Sequence, residues 1–127
     1  MNAYEIPNLR FSLPAGEDVP RRRFVAADAN GAGVLATAGG SVIGVSMTEA
    51  ADGEVLDIAD GIVIVEASAE IAAGADISVA ANGKAVTATA LSQLGVDPFT
   101  VTEGTVVVGT ALTGAAADGQ FVTVKIG

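Results

Sequence analysis

A 127-residue chain without cysteine or histidine excludes disulfides, thiolate metal sites and the usual neutral-pH proton carrier before any motif is read. The length fits one domain, but its core is thin, because twenty-five residues are alanine and only five are aromatic. The net charge of −9 is uneven: residues 1–23 set four arginines against three acids, and the remainder sets two lysines against twelve. So acidic a body repels nucleic acid and anionic membranes, and neither is expected as a partner. No apolar run reaches the ~20 residues of a membrane span, and no signal-peptide pattern opens the chain, so a soluble, cytoplasmically made protein is expected.

Residues 1–23 read as an extended N-terminal arm. Pro7, Pro14 and Pro20 bar helix interiors and bias their predecessors to extended geometry. Between them Leu9, Phe11 and Leu13 alternate with Arg10 and Ser12, a short strand signal. Such an arm pairs with its own sheet edge or with another subunit. Arg21, Arg22 and Arg23 read as a solvated turn or as ion-pair partners for the acidic body rather than a phosphate contact. The arm adds little to its own core, so its removal is expected to leave residues 24–127 folded as a single β-rich domain.

Phe24-Val25-Ala26 starts a strand, Asp28-Ala29-Asn30-Gly31 turns it, and Val34-Leu35-Ala36 returns. Asp28 and Asn30 echo the opening of a calcium loop, but the later ligands and closing glutamate are missing. Residues 42–58 and 107–124 form an internal repeat in which Gly44 aligns with Gly109, Thr48 with Thr113, and Asp52-Gly53 with Asp118-Gly119. Each copy reads as strand, alanine-rich connection, Asp-Gly turn and strand, and its intrastrand glycine marks a close approach of another backbone.

Between the copies, Val63, Val65, Ala67, Ala69 and Ile71 fall on one face, with Glu66, Ser68 and Glu70 on the other. Ile77-Ser78-Val79 follows, then an Asn82-Gly83 hairpin and Lys84-Ala85-Val86, which together predict a β-meander. Thr87 to Leu94 is the one predicted helix, with Gly95 as its stop. The fold class expected is mainly β: a small barrel or sandwich of hairpins with one short helix and an extended N-terminal arm.

The chemistry-bearing patterns all favour bland readings. Gly44-Val45-Ser46-Met47-Thr48 lacks the closing glycine of a nucleophile elbow, and no histidine completes a triad. Glu66 and Glu70 read as a solvated face, since no aromatic sugar platform accompanies them. Lys84 reads as a plain turn lysine, without the flanking residues of biotin or lipoyl carriers. No glycine cluster stands between a strand and a helix with a following lysine, as a phosphate loop requires. No catalytic, cofactor or metal site is expected, and the protein is not expected to be an enzyme.

Pro14-Ala15-Gly16-Glu17-Asp18 with Phe24-Val25, and Val42-Ile43-Gly44-Val45, resemble the first half of the small capsid decoration, or cement, proteins of tailed bacteriophages. Ile71-Ala72-Ala73-Gly74 with Asn82-Gly83-Lys84-Ala85-Val86 resembles their middle, and Val108-Gly109-Thr110-Ala111 through Ala117-Asp118-Gly119 their end. The resemblance spans residues 13–126, except that Ser92 to Glu103 is longer than the family's usual link. It implies an inert β protein on the outer surface of the expanded head, often a homotrimer, clamping neighbouring major capsid proteins. The residues expected to meet that partner are Leu9, Arg10, Phe11, Leu13, Arg21, Arg22 and Arg23. The competing reading is a carbohydrate-binding or adhesive β-module on a phage or cell surface, against which the scarcity of aromatics weighs.

Overall fold

The computed structural model describes residues 5–88 and 106–127. Nine strands fill these segments: β1 (Ile6–Pro14), β2 (Phe24–Ala27), β3 (Gly33–Leu35), β4 (Gly44–Ser46), β5 (Val55–Glu66), β6 (Asp76–Val79), β7 (Ala85–Thr87), β8 (Gly109–Ala111) and β9 (Phe121–Ile126). They form one sheet curled into a half-barrel, in the order β3-β2-β4-β5-β9-β8-β6-β7, with β1 paired to β5. The mainly β class read from the sequence is what the structure has. The helical turn among the described residues is a 3₁₀ turn at Ala81–Gly83, and the helix predicted from Thr87 falls outside them beyond Ala88. Thr87 itself ends β7.

The hairpin repeat is one part of a duplication that takes in nearly the whole described chain. The first copy pairs Phe11 with Ile58 and Leu13 with Leu56; the second pairs Val63 with Val124 and Val65 with Val122. Hairpin β2–β3 places Val25 against Leu35, and β6–β7 places Ile77 against Thr87. Isolated bridges repeat as well: Ala15 meets Gly33 and Ala67 meets Ala85 in parallel, Val19 meets Ala50 and Ile71 meets Ala115 antiparallel. Each copy is thus a strand, a hairpin and a second hairpin. Strand β5 closes the first copy and, past Gly61, opens the second.

The cores repeat with the backbone. Ala15, Val19, Val25, Ala50, Leu56 and Ile58 are buried in one copy, and Ala67, Ile71, Ile77, Ala115, Val122 and Val124 take the same places in the other. Phe24, Val45 and Ala59 of the first copy join the second cluster and weld the two together. In the first copy Phe11 and Leu13 of β1 complete the packing. Together these side chains offset a substantial share of the ordering entropy, at about 1.5–3 kcal/mol for each large apolar side chain fully buried.

Two sets of glycines explain themselves by position. A Cβ on Gly44 would lie 2.6 Å from the Ala59 carbonyl oxygen, and one on Gly109 would strike the equivalent Lys125 carbonyl. The backbone approach inferred from the repeat is therefore present in both copies. At Gly61, φ is +108°, and Asn8 is the extra residue where the β1–β5 register shifts between Pro7 and Leu9. This bulge in β1 lies opposite the point where β5 passes from one copy to the other.

One expectation is corrected. Strands β5 and β6 are not neighbours in the sheet, because β9 lies beside the second half of β5 and β6 pairs with β7 and β8. The chain between them is spent closing the second core through Ala67 and Ile71, so no meander forms.

Substituting Gly44→Ala or Gly109→Ala is expected to destabilise the protein by about 1–3 kcal/mol, since a backbone carbonyl cannot step aside. Gly53→Ala and Gly119→Ala, with open space but left-handed φ, should cost about 1 kcal/mol. Urea unfolding midpoints give the ranking. Removing residues 1–14 tests whether the arm is separable. Leu56 and Ile58 lie buried opposite Leu13 and Phe11, so a fall in Tm of more than about 10 °C is expected; a loss of only a few degrees would establish an independent arm.

Candidate functional site

The sequence-predicted contact residues fall into two groups. Leu9, Arg10, Phe11 and Leu13 lie on β1, which pairs with the protein's own β5. Phe11 and Leu13 are half-buried against the first core, while Leu9 (57% exposed) and Ile6 (61%) lie further along the strand. Arg10 is exposed. The edge is protected in the usual ways, with Pro7 and Pro14 withholding amide donors and Arg10 adding charge.

Arg21, Arg22 and Arg23 sit at the seam between the copies. The Arg22 guanidinium donates to Glu5 Oε2 at 2.7 Å and approaches the Met47 sulfur, and its carbonyl accepts from the Glu66 amide. Arg23 Nη2 lies 3.4 Å from Glu66 Oε2, and its Nη1 donates to the Asn82 carbonyl. Lys84 Nζ, from the second copy's hairpin, lies 3.0 Å from both Glu66 and Asp118. Neither Glu66 nor Lys84 is the simple solvated residue the sequence suggested: the chain Arg23–Glu66–Lys84–Asp118 laces the first copy to the second. Hydrogen bonding to Asp118, then to Glu66, pushes the Lys84 ammonium above its ordinary pKa. That bonding contributes below the ordinary lysine pKa and is lost as pH rises through the raised value.

Arg21 is different. It is exposed, and it has no ion pair among the described residues. It shares a hollow with Arg22, Ile64 and Phe121, and a second, adjoining one with Pro20, Met47 and Glu66. Phe121 opens β9 and is 41% exposed, an uncommon position for a large aromatic. Sequence reasoning missed Phe121, because only the stacking of the copies brings it to Arg21, a hundred residues away in the chain. Phe24 is buried and Phe11 half-buried, so these three aromatics do not form a common stacking platform.

The duplication makes each copy a control for the other. Where the first copy has Pro20-Arg21-Arg22-Arg23, the second has Ala72-Ala73-Gly74-Ala75. The amide of Arg22 bonds the Ser46 carbonyl as that of Gly74 bonds the Ala111 carbonyl, so the turns are equivalent. Both are left-handed, φ +61° at Arg22 and +87° at Gly74. Glycine takes that conformation freely, while arginine there costs about 1–2 kcal/mol. The fold itself does not require arginines at this turn. The first copy retains one at a strained position for the seam it makes.

No cluster of three or more potential metal ligands occurs among the described residues. The described site offers arginine and exposed apolar surface, groups that can dock another surface.

Comparison with known proteins agrees with that chemistry. None of the curated proteins matches the chain. Among solved structures, the N base of the head fiber protein gp8.5 of bacteriophage phi29 superposes with a TM-score of 0.67 at 22% identity, covering 94% of this chain and 93% of that one. At that identity the likeness shows a shared fold. The phage cement protein profile matches residues 5–126, from the ion-paired Glu5 to the end of the last strand. On that coverage the chain belongs to the phage cement protein family, structural proteins of the phage head.

Proposed function

We propose that this protein decorates the outer surface of the expanded phage head as a homotrimer and clamps neighbouring major capsid proteins without catalysing any reaction. The observation that carries the reading is the family match over nearly the whole chain. The head-fiber base with the same fold lends it weight, since that protein is a head fiber of bacteriophage phi29. The physical character of the surface also supports it: an acidic body disfavours direct contact with packaged DNA, and the arginines lie on β1 and at the seam, beside the exposed Ile6 and Leu9 in the one case and Phe121 in the other. A clamp works by burying surface on two neighbours at once, and stable interfaces bury on the order of 1,600 Å² in total. Trimerisation multiplies such weak contacts by effective concentration, which suits a small domain.

Purified protein added to expanded heads lacking it is expected to bind to saturation and to raise the temperature at which the heads release DNA. Cryo-microscopy of the decorated heads should place three copies around each occupied three-fold position, bridging adjacent capsomers. Heads that neither bind the protein nor gain stability would overturn the reading; single copies away from any three-fold would overturn the trimer.

A further inference from the structure

Within the seam hollow, Arg21 stands outside the ion pairs that lace the copies together and Phe121 is part-exposed, and that composition is that of a docking point. Resting on the cement reading, we propose that this hollow receives an extended segment of the shell protein carrying a carboxylate beside an apolar side chain. Arg21 would pair the carboxylate, and Phe121 with Ile64 and Met47 would cover the apolar neighbour.

Three observations converge on this choice. The first is the internal control: Arg22 and Arg23 bond Glu5, Glu66 and Asn82, whereas Arg21 makes no hydrogen bond or ion pair among the described residues and is an alanine, Ala73, in the other copy. The second is charge. In a chain of net charge −9, an exposed arginine without an acidic partner is a local positive point that favours a carboxylate from outside. The third is composition: arginine and aromatic side chains at a concave spot are what concentrate binding energy at protein interfaces. Glu49 and Glu66 on the rim repel acidic groups placed elsewhere, so the carboxylate must arrive at Arg21 itself. The β1 edge is the weaker candidate, because Pro7, Pro14 and Arg10 guard it against strand addition.

The test compares binding to expanded heads lacking the protein, with wild type, R21E, R21Q, F121S and A73R measured side by side. R21E and F121S are expected to weaken binding by about tenfold or more, and A73R to leave it unchanged. The affinity of R21Q should also fall less steeply with added salt than that of wild type. Circular dichroism melts check that the exposed substitutions leave the fold intact. If wild type binds the heads and R21E and F121S bind them equally well, the hollow is not the docking point. If R21E instead alters only the sedimentation of the free protein, the occupant is a second copy of this chain and the proposal falls. Failure of wild type itself to bind the heads removes the cement reading, and this proposal with it.

Discussion

Strand β5 has to serve two cores, and much of the described structure follows from how it does so. Its first half covers one copy through Leu56 and Ile58, and its second half covers the other through Val63 and Val65. The two sets lie on opposite faces of the strand, Leu56 and Ile58 at even positions and Ala59, Val63 and Val65 at odd ones, so simple alternation lets one strand serve both cores. The left-handed Gly61, with the Asn8 bulge of β1 opposite it, marks the point where β5 passes from one copy to the other. Any side chain at Gly61 would meet the Asn8 backbone as well as an unfavourable φ. Its neighbours in the sheet are β1, β4 and β9, and between the copies β4 corresponds to β8 and β1 to the second half of β5.

That arrangement also explains how so alanine-rich a chain holds a fold. Alanine contributes little apolar area, but it lets backbones approach closely, and the two intrastrand glycines bring them closer still. Two small cores are built from β-branched residues around these close approaches. Phe24 is the largest of the fully buried side chains, and it lies in the weld between the copies. Hydrophobic burial there is joined by the Arg23–Glu66–Lys84–Asp118 ion pairs at the surface of the same seam. In part-buried pairs of this kind desolvation offsets much of the attraction, so they set the alignment of the copies more than their stability.

Duplication gives a structural protein an internal standard. Where the copies agree, as at Gly44 and Gly109 or Gly53 and Gly119, the fold dictates the residue. Where they part, something other than the fold is being served. The turn at residues 20–23 departs most clearly, exchanging alanine and glycine for proline and arginine at the cost of a strained φ at Arg22. Copy 2 keeps the cheaper turn. The departure lies at the seam, beside the hollow that Phe121 also lines.

The sequence by itself determined the mainly β class, the two Asp-Gly hairpins, the Asn82-Gly83 turn and the meaning of Gly44 and Gly109. These are local matters: alternation, β-branching and positive φ are properties of a few adjacent residues. The absence of histidine and cysteine also set limits that no fold can lift. The full duplication was hidden because outside residues 42–58 and 107–124 the copies share geometry more than identity, as Phe11 and Val63 or Phe24 and Asp76 show. A hydrogen-bond register constrains side-chain parity and not residue type, so backbone pairing preserved what the residues had lost. Only the tertiary structure could decide that β5 is shared, that β5 and β6 part company, and that Glu66 and Lys84 meet across the seam. It alone placed Arg21 beside Phe121, because that proximity is a consequence of how one copy lies against the other.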